Sequence, residues 1–201
     1  MASTLNPVER ALKRIFAELD DAGVSCALIG GLAVSARAEP RTTRDVDVAI
    51  STDSDAAAEQ LVFHLQNRGY VVGMLLEQEK TGRIATVRLT RDSERSVYVD
   101  LLFASSGIEP EIVAAAEDLA VLEDVTVRVA TRAHLIAMKV LARDDRHRPQ
   151  DFDDIRALLA DASEGELNTV REALALVESR GFNRGRSLGD DFTRAIADMA
   201  R

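Results

Sequence analysis

Between Asn6 and Ala22 the apolar positions Val8, Ala11, Leu12, Ile15, Phe16 and Leu19 recur at helical spacing, and Gly23 supplies a stop. Val24 to Ile29 is a continuous apolar run that predicts a buried strand. Gly30 and Gly31 follow, then a short helix from Leu32 to Ala38 that Pro40 ends. Val46 to Ile50 predicts a second strand, and Ser54 or Asp55 caps a helix running to Arg68. Three further strands are expected at Tyr70 to Leu76, Ile84 to Leu89 and Val97 to Phe103, joined by polar turns and therefore antiparallel. A helix from Pro110 to Leu119 and a strand at Val125 to Val129 complete this half.

After Ala130 the pattern becomes helical, with Thr131 capping Ala133 to Arg143 and further helices over Gln150–Ala160, Glu164–Arg180 and Asp190–Met199. The stretch Gly181 to Gly189, rich in glycine and arginine, is the best candidate for a linker or mobile loop. The expected architecture is α/β: a mixed, largely antiparallel sheet flanked by helices, with a C-terminal helical part. The division falls at residues 1–130 and 131–201.

Composition narrows the picture. The 201 residues are 46% hydrophobic and only 4% aromatic, so the core is built from Ala, Val, Leu and Ile. No apolar run is long enough to cross a bilayer and Met1 to Arg14 does not read as a signal peptide, so a cytoplasmic protein is expected. Cys26, the only cysteine, reads as a buried inert thiol. His64, His134 and His147 do not share metal-ligand spacing. A net charge of −9 disfavours general nucleic-acid binding, although Arg128, Arg132, Lys139, Arg143 and Arg146 allow a local basic patch.

The chemistry is concentrated in L-I-G-G-L-A-V-S-A-R-A-E-P-R-T-T-R-D-V-D-V-A-I, Leu28 to Ile50. Gly30-Gly31 stands between a strand and a helix, where missing side chains let backbone amides approach phosphate oxygens. Asp45 and Asp47 are two apart on a strand, so their carboxylates share a face with α-carbons roughly 6.5–7 Å apart, within reach of common hard cations. Asp100 is a lone acid in the apolar strand V-Y-V-D-L-L-F. It is either a third ligand or an edge residue paired with Arg88 or Arg95. Three converging carboxylates repel one another, and Mg²⁺ arriving with a triphosphate is the economical neutraliser.

This arrangement resembles the signature of the nucleotidyltransferase superfamily of DNA polymerase β. P-R-T-T-R-D-V-D-V is similar to the subset containing AbiEii-type abortive-infection toxins. The resemblance implies transfer of a nucleoside monophosphate from an NTP to a hydroxyl, with Mg²⁺ (or Mn²⁺) held by Asp45, Asp47 and Asp100. It implies that Gly30 and Gly31 hold the triphosphate and that Arg41 and Thr43 shape the adjacent loop. A second block, L-I-A-M-K-V-L-A-R followed by R-H-R-P-Q-D-F-D-D-I, resembles the lysine helix and acidic helix of the same proteins. It would bring Lys139 to the β/γ-phosphates, Asp151 and Asp154 near the site, and positive charge from Arg146 or Arg148. Asp154 equally suits a hydrogen-bond anchor for Arg146 or Lys139. A tRNA end is the acceptor in some toxin relatives, with a protein or small-molecule hydroxyl as alternatives, and a cognate antitoxin is an expected partner. The competing class is a nucleotide- or partner-binding module on the same fold that transfers nothing.

Overall fold

The computed structural model describes residues 6–92, 96–122, 124–144 and 149–199. Its N-terminal part runs α1 (Pro7–Asp21), β1 (Cys26–Ile29), α2 (Gly30–Arg37), β2 (Asp45–Ile50), α3 (Asp55–Asn67), β3 (Tyr70–Glu77), β4 (Ile84–Arg91) and β5 (Tyr98–Leu102). It continues through α4 (Glu109–Ala115), β6 (Glu117–Leu122) and β7 (Val125–Val129). Four helices then follow: α5 (Arg132–Ala142), α6 (Pro149–Ala160), α7 (Glu164–Ser179) and α8 (Leu188–Met199).

The strands form one sheet in the order β3-β4-β5-β2-β1-β7-β6. β2 joins β5, and β1 joins β7, in parallel, while the other neighbours are antiparallel. Alternation along the central strands fixes their two faces. Val46 and Val48 of β2, which packs against α1 and α4, are buried on the same face as Val99 and Leu101 of β5, while Asp45, Asp47 and Asp100 point the other way. The Asn6 carboxamide caps α1 by accepting from the Val8 N–H at 2.7 Å, and the helix buries Ala11, Leu12, Ile15 and Leu19. Fully burying one such leucine stabilises by about 1.5–3 kcal/mol. The helical part is tied to the sheet by α5, which packs against α2 as well as α6, α7 and α8. No helix among the described residues is long and apolar enough to cross a membrane.

Three details depart from the local pattern. The helix predicted to reach Leu119 stops at Ala115, because Ala116 is extended and Glu117–Leu122 pairs with β7 as an edge strand. Arg37 holds Glu117 at 2.7 Å, and Arg128 donates to the carbonyls of Val113 and Ala116, so long-range partners outweigh the helical propensity of the alanines. The glycine pair lies inside α2 rather than before it. Residues 181–187 lie between α7 and α8 as a braced turn, not a slack linker: Arg186 donates to the carbonyls of Val140, Leu141 and Arg143 and pairs with Asp191 at 2.8 Å.

Candidate active site

The pairing of β2 with β5 sets Asp47 opposite Asp100 and Asp45 opposite Tyr98. Partners across a ladder point to the same face with α-carbons about 5 Å apart, so all three acids rise from one surface. They line a cleft of about 580 Å³ that also takes in Gly30, Gly31, Arg41, Thr43 and Lys139. Burial pushes the Asp47 carboxyl up to about 6, helped by the charges of Asp100 and Asp45 and opposed by Lys139 and a hydrogen bond from the Gly31 amide.

Asp100 is already occupied. Arg88, its cross-strand partner on β4, donates Nε to Oδ1 at 2.8 Å and Nη2 to Oδ2 at 2.6 Å. The same guanidinium lies 4.8 Å over the Tyr98 ring, and the fork raises its own pKa. Pairing with Arg88 and convergence with Asp47 therefore both hold. The arginine thus neutralises one of the three acids. Among the described residues the one metal-ligand trio with its atoms all within 4.8 Å lies elsewhere, at Glu18, Asp21 and His64. Arg68 neutralises that cluster, contacting Glu18 at 3.5 Å and Asp21 more closely.

Glycine is required at residue 30 on two counts. Its φ of +65° is left-handed, and a β-carbon there would lie 1.9 Å from Asp47 Oδ2. A β-carbon on Gly31 would meet Arg41 Nη2 at 2.8 Å and Thr43 Oγ1 at 2.9 Å. The loop of residues 38–44 thus folds against α2, secured by Ser35, whose hydroxyl donates to the Gly31 carbonyl at 3.0 Å and accepts from the Arg41 amide at 3.2 Å.

Lys139 is buried and pairs with Asp151 at 2.8 Å and Asp154 at 2.7 Å. Asp154 also takes Arg41, with Nε 2.7 Å from Oδ1 and Nη2 donating to Oδ2 at 3.0 Å. The acidic helix α6 thereby holds the cations of α5 and of the glycine-side loop at one wall of the cleft. Arg146 and Arg148 lie outside the described residues. Of the described residues that allowed a local basic patch, Arg128 and Arg132 donate to backbone carbonyls, Lys139 is buried, and Arg143 lies 4.7 Å over the Phe152 ring.

Several cleft residues escaped the sequence pattern. Arg88 was foreseen only as a partner for Asp100, not as part of a site. Ser105 and Ser106 line the cleft because the buried Glu109 accepts both their amides and the Ser106 hydroxyl. The S-x-x-E spacing of Ser106 and Glu109 was the available signal. Arg184 reaches the cleft from the α7–α8 connection. Cys26 is buried with its thiol pushed up to about 11 by desolvation, consistent with an inert side chain.

The family described as nucleotidyl transferase AbiEii toxin of a type IV toxin–antitoxin system matches residues 10–200. The chain belongs to the AbiEii family. This AbiEii protein is a nucleotidyltransferase, and its fold agrees. It is similar to an antigenic nucleotidyltransferase-like protein from Paracoccidioides brasiliensis, at 18% identity and a TM-score of 0.51, over 94% of this chain and 91% of that one. It is similar also to ANT(2")-Ia, solved with adenylyl-2"-tobramycin, at 14% identity and a TM-score of 0.54, over 85% and 97%. No curated protein matches the chain.

Proposed function

We propose that this AbiEii protein transfers a nucleoside monophosphate from an NTP to an acceptor hydroxyl with the help of Mg²⁺, Mn²⁺ substituting, and that it does so as the toxin of a toxin–antitoxin pair. The observation that carries this reading is the pairing of Asp47 with Asp100, which puts the three acids on one face beside Gly30. The donor set fits a hard divalent cation: it is all carboxylate oxygen, and Asp47 is held above its ordinary range by burial and by the neighbouring charges of Asp100 and Asp45. When bound, the metal supplies a lowered pKa at the acceptor hydroxyl and charge neutralisation at the phosphates.

The rest falls to the chain. Asp45 and Asp47 would hold the cation, with Asp100, which pairs with Arg88, as the third carboxylate on the same face. Gly30 and Gly31 leave room for the triphosphate at the start of α2, and Arg41 and Thr43 border it. Lys139, anchored by Asp151 and Asp154, directs its charge along the same wall toward the β- and γ-phosphates. Transfer of this kind depends on positioning and charge neutralisation, which a small rigid cleft supplies.

The RNA 3′ end, tRNA first, is the favoured acceptor on the strength of the toxin family alone. The test is incorporation of each α-labelled NTP into tRNA, a protein lysate and an aminoglycoside in Mg²⁺, comparing wild type with Asp47→Asn. Label in tRNA that vanishes in the variant is the expected result. Equal labelling by both proteins would remove the assignment of the acids, and label confined to another acceptor would remove the RNA reading.

A further inference from the structure

We propose that the end of the cleft beyond the acids is the nucleobase subsite, with Leu102 and Met138 on either side of the base and the Ser105 hydroxyl at its edge. The inference rests on the nucleotide side of the nucleotidyl-transfer reading and says which residues select the nucleotide. The sheet gives the direction. Gly30 follows Ile29, which pairs with Asp47, and Asp47 pairs with Asp100 on the next strand. Leu102 lies two residues beyond Asp100 on the same face, opposite Thr86 of β4. Gly30, the acids and Leu102 therefore run diagonally across the cleft face. At roughly 4.8 Å per strand and 3.3 Å per residue the diagonal is about 14 Å long. A triphosphate that starts at the glycine pair, with its α-phosphate at the acids, carries its nucleoside onto Leu102.

The lining at that end suits a base. The sheet contributes Leu102 and Thr86 to the cleft, and α5 contributes Leu135 and Met138. The N-terminal half of α5 lies on the α4 side, where the charge of Glu111 acts on His134. Leu135 and Lys139 stand one turn apart on one face of this helix, so a ligand whose phosphates meet Lys139 meets Leu135 toward its other end. Ser105 supplies polarity. Glu109, 1% exposed, accepts the Ser105 and Ser106 amides at 2.9 and 2.6 Å and the Ser106 hydroxyl at 2.9 Å, all on one oxygen. A buried carboxylate is costly, and the transfer chemistry does not use this one. What it does is fix Ser105 at the cleft, with a hydroxyl that makes no hydrogen bond among the described residues. An apolar slot with a few fixed polar groups is what orients a small planar ligand and tells it from its analogues.

The experiment measures binding by calorimetry in Mg²⁺, using α,β-methylene analogues of the four NTPs and inorganic tripolyphosphate. Leu102→Phe fills the slot from a half-buried position, and Ser105→Ala removes the hydroxyl while keeping the amide that Glu109 holds. Leu102→Phe should weaken all four NTP analogues about ten-fold, and Ser105→Ala should weaken the preferred analogue about ten-fold and narrow the spread among bases. Tripolyphosphate should bind both variants as it binds wild type, which also reports that sheet and α5 still meet. Unchanged affinity for the NTP analogues in Leu102→Phe overturns the inference, and an unchanged spread in Ser105→Ala overturns the role of its hydroxyl. An equal loss for tripolyphosphate in Ser105→Ala overturns it too, since the effect would then belong to the phosphates. The expected binding pattern with no acceptor labelled in the transfer assay would overturn the transferase reading and leave the subsite standing. Wild-type protein that binds none of the analogues would overturn both.

Discussion

Asp47 concentrates the tension of the site. Its carboxyl titrates near 6 in the folded chain against an ordinary value of 3.8, chiefly from burial and then from Asp100 and Asp45. A folded acid that holds its proton more tightly than the unfolded one loses stability as pH rises from about 4 to 6, and the full cost remains above that window. Below pH 4 both states are protonated and the cost is absent. Asp47→Asn therefore stabilises the metal-free protein at pH 7, by on the order of 3 kcal/mol, and flattens its stability between pH 4 and 6. Urea melts across that range without metal check this, and a variant less stable than wild type at pH 7 would show that burial is not the dominant cause. The same carboxyl links metal to protons. Mg²⁺ binding to wild type releases protons near pH 5–6, seen as a buffer-dependent calorimetric heat.

Elements explain why some of this was legible in the chain and some was not. The Asp-x-Asp strand and Asp100 could be read because period-two alternation puts them opposite Val46, Val48 and Val99, whose burial sets the face. Lys139 could be located on its helix, but not its partners, because Asp151 and Asp154 come from α6 and meet it only when two helices pack. β6 was hidden for a similar reason: its pairing with β7 and the reach of Arg37 to Glu117 are tertiary facts. The buried network makes a strong demand on α5 and α6. Lys139→Met removes the cation shared by two buried acids, Asp151 and Asp154, the second of which keeps Arg41, and costs about 3–5 kcal/mol in denaturant melts. Adding Asp151→Asn recovers part of that stability. If the double variant regains stability but not NTP turnover, Lys139 serves the phosphates as well as the packing; recovery of both would confine it to packing.

Across the whole molecule, the cleft joins parts far apart in sequence: the glycine turn and acids of the sheet, the wall of α5, and the turn at Arg184. A nucleotide that touches the first two is held by the folded arrangement alone and is released on unfolding. Saturating Mg²⁺ and the correct NTP then raise stability by about 2.7 kcal/mol at a hundred times the dissociation constant. A general rise in midpoint would not show where the ligand sits, so the sharper measurement is amide exchange. The first turn of α2 and the C-terminal half of α5 should slow together with an NTP analogue, because one ligand ties them to one another. With NMP, slowing should be weaker at α5, since the charge of Lys139 is assigned to the β- and γ-phosphates. Protection of α2 alone with the NTP analogue would mean that the helical side is a wall and not a contact. The sheet and its acids would then have to position the triphosphate without it.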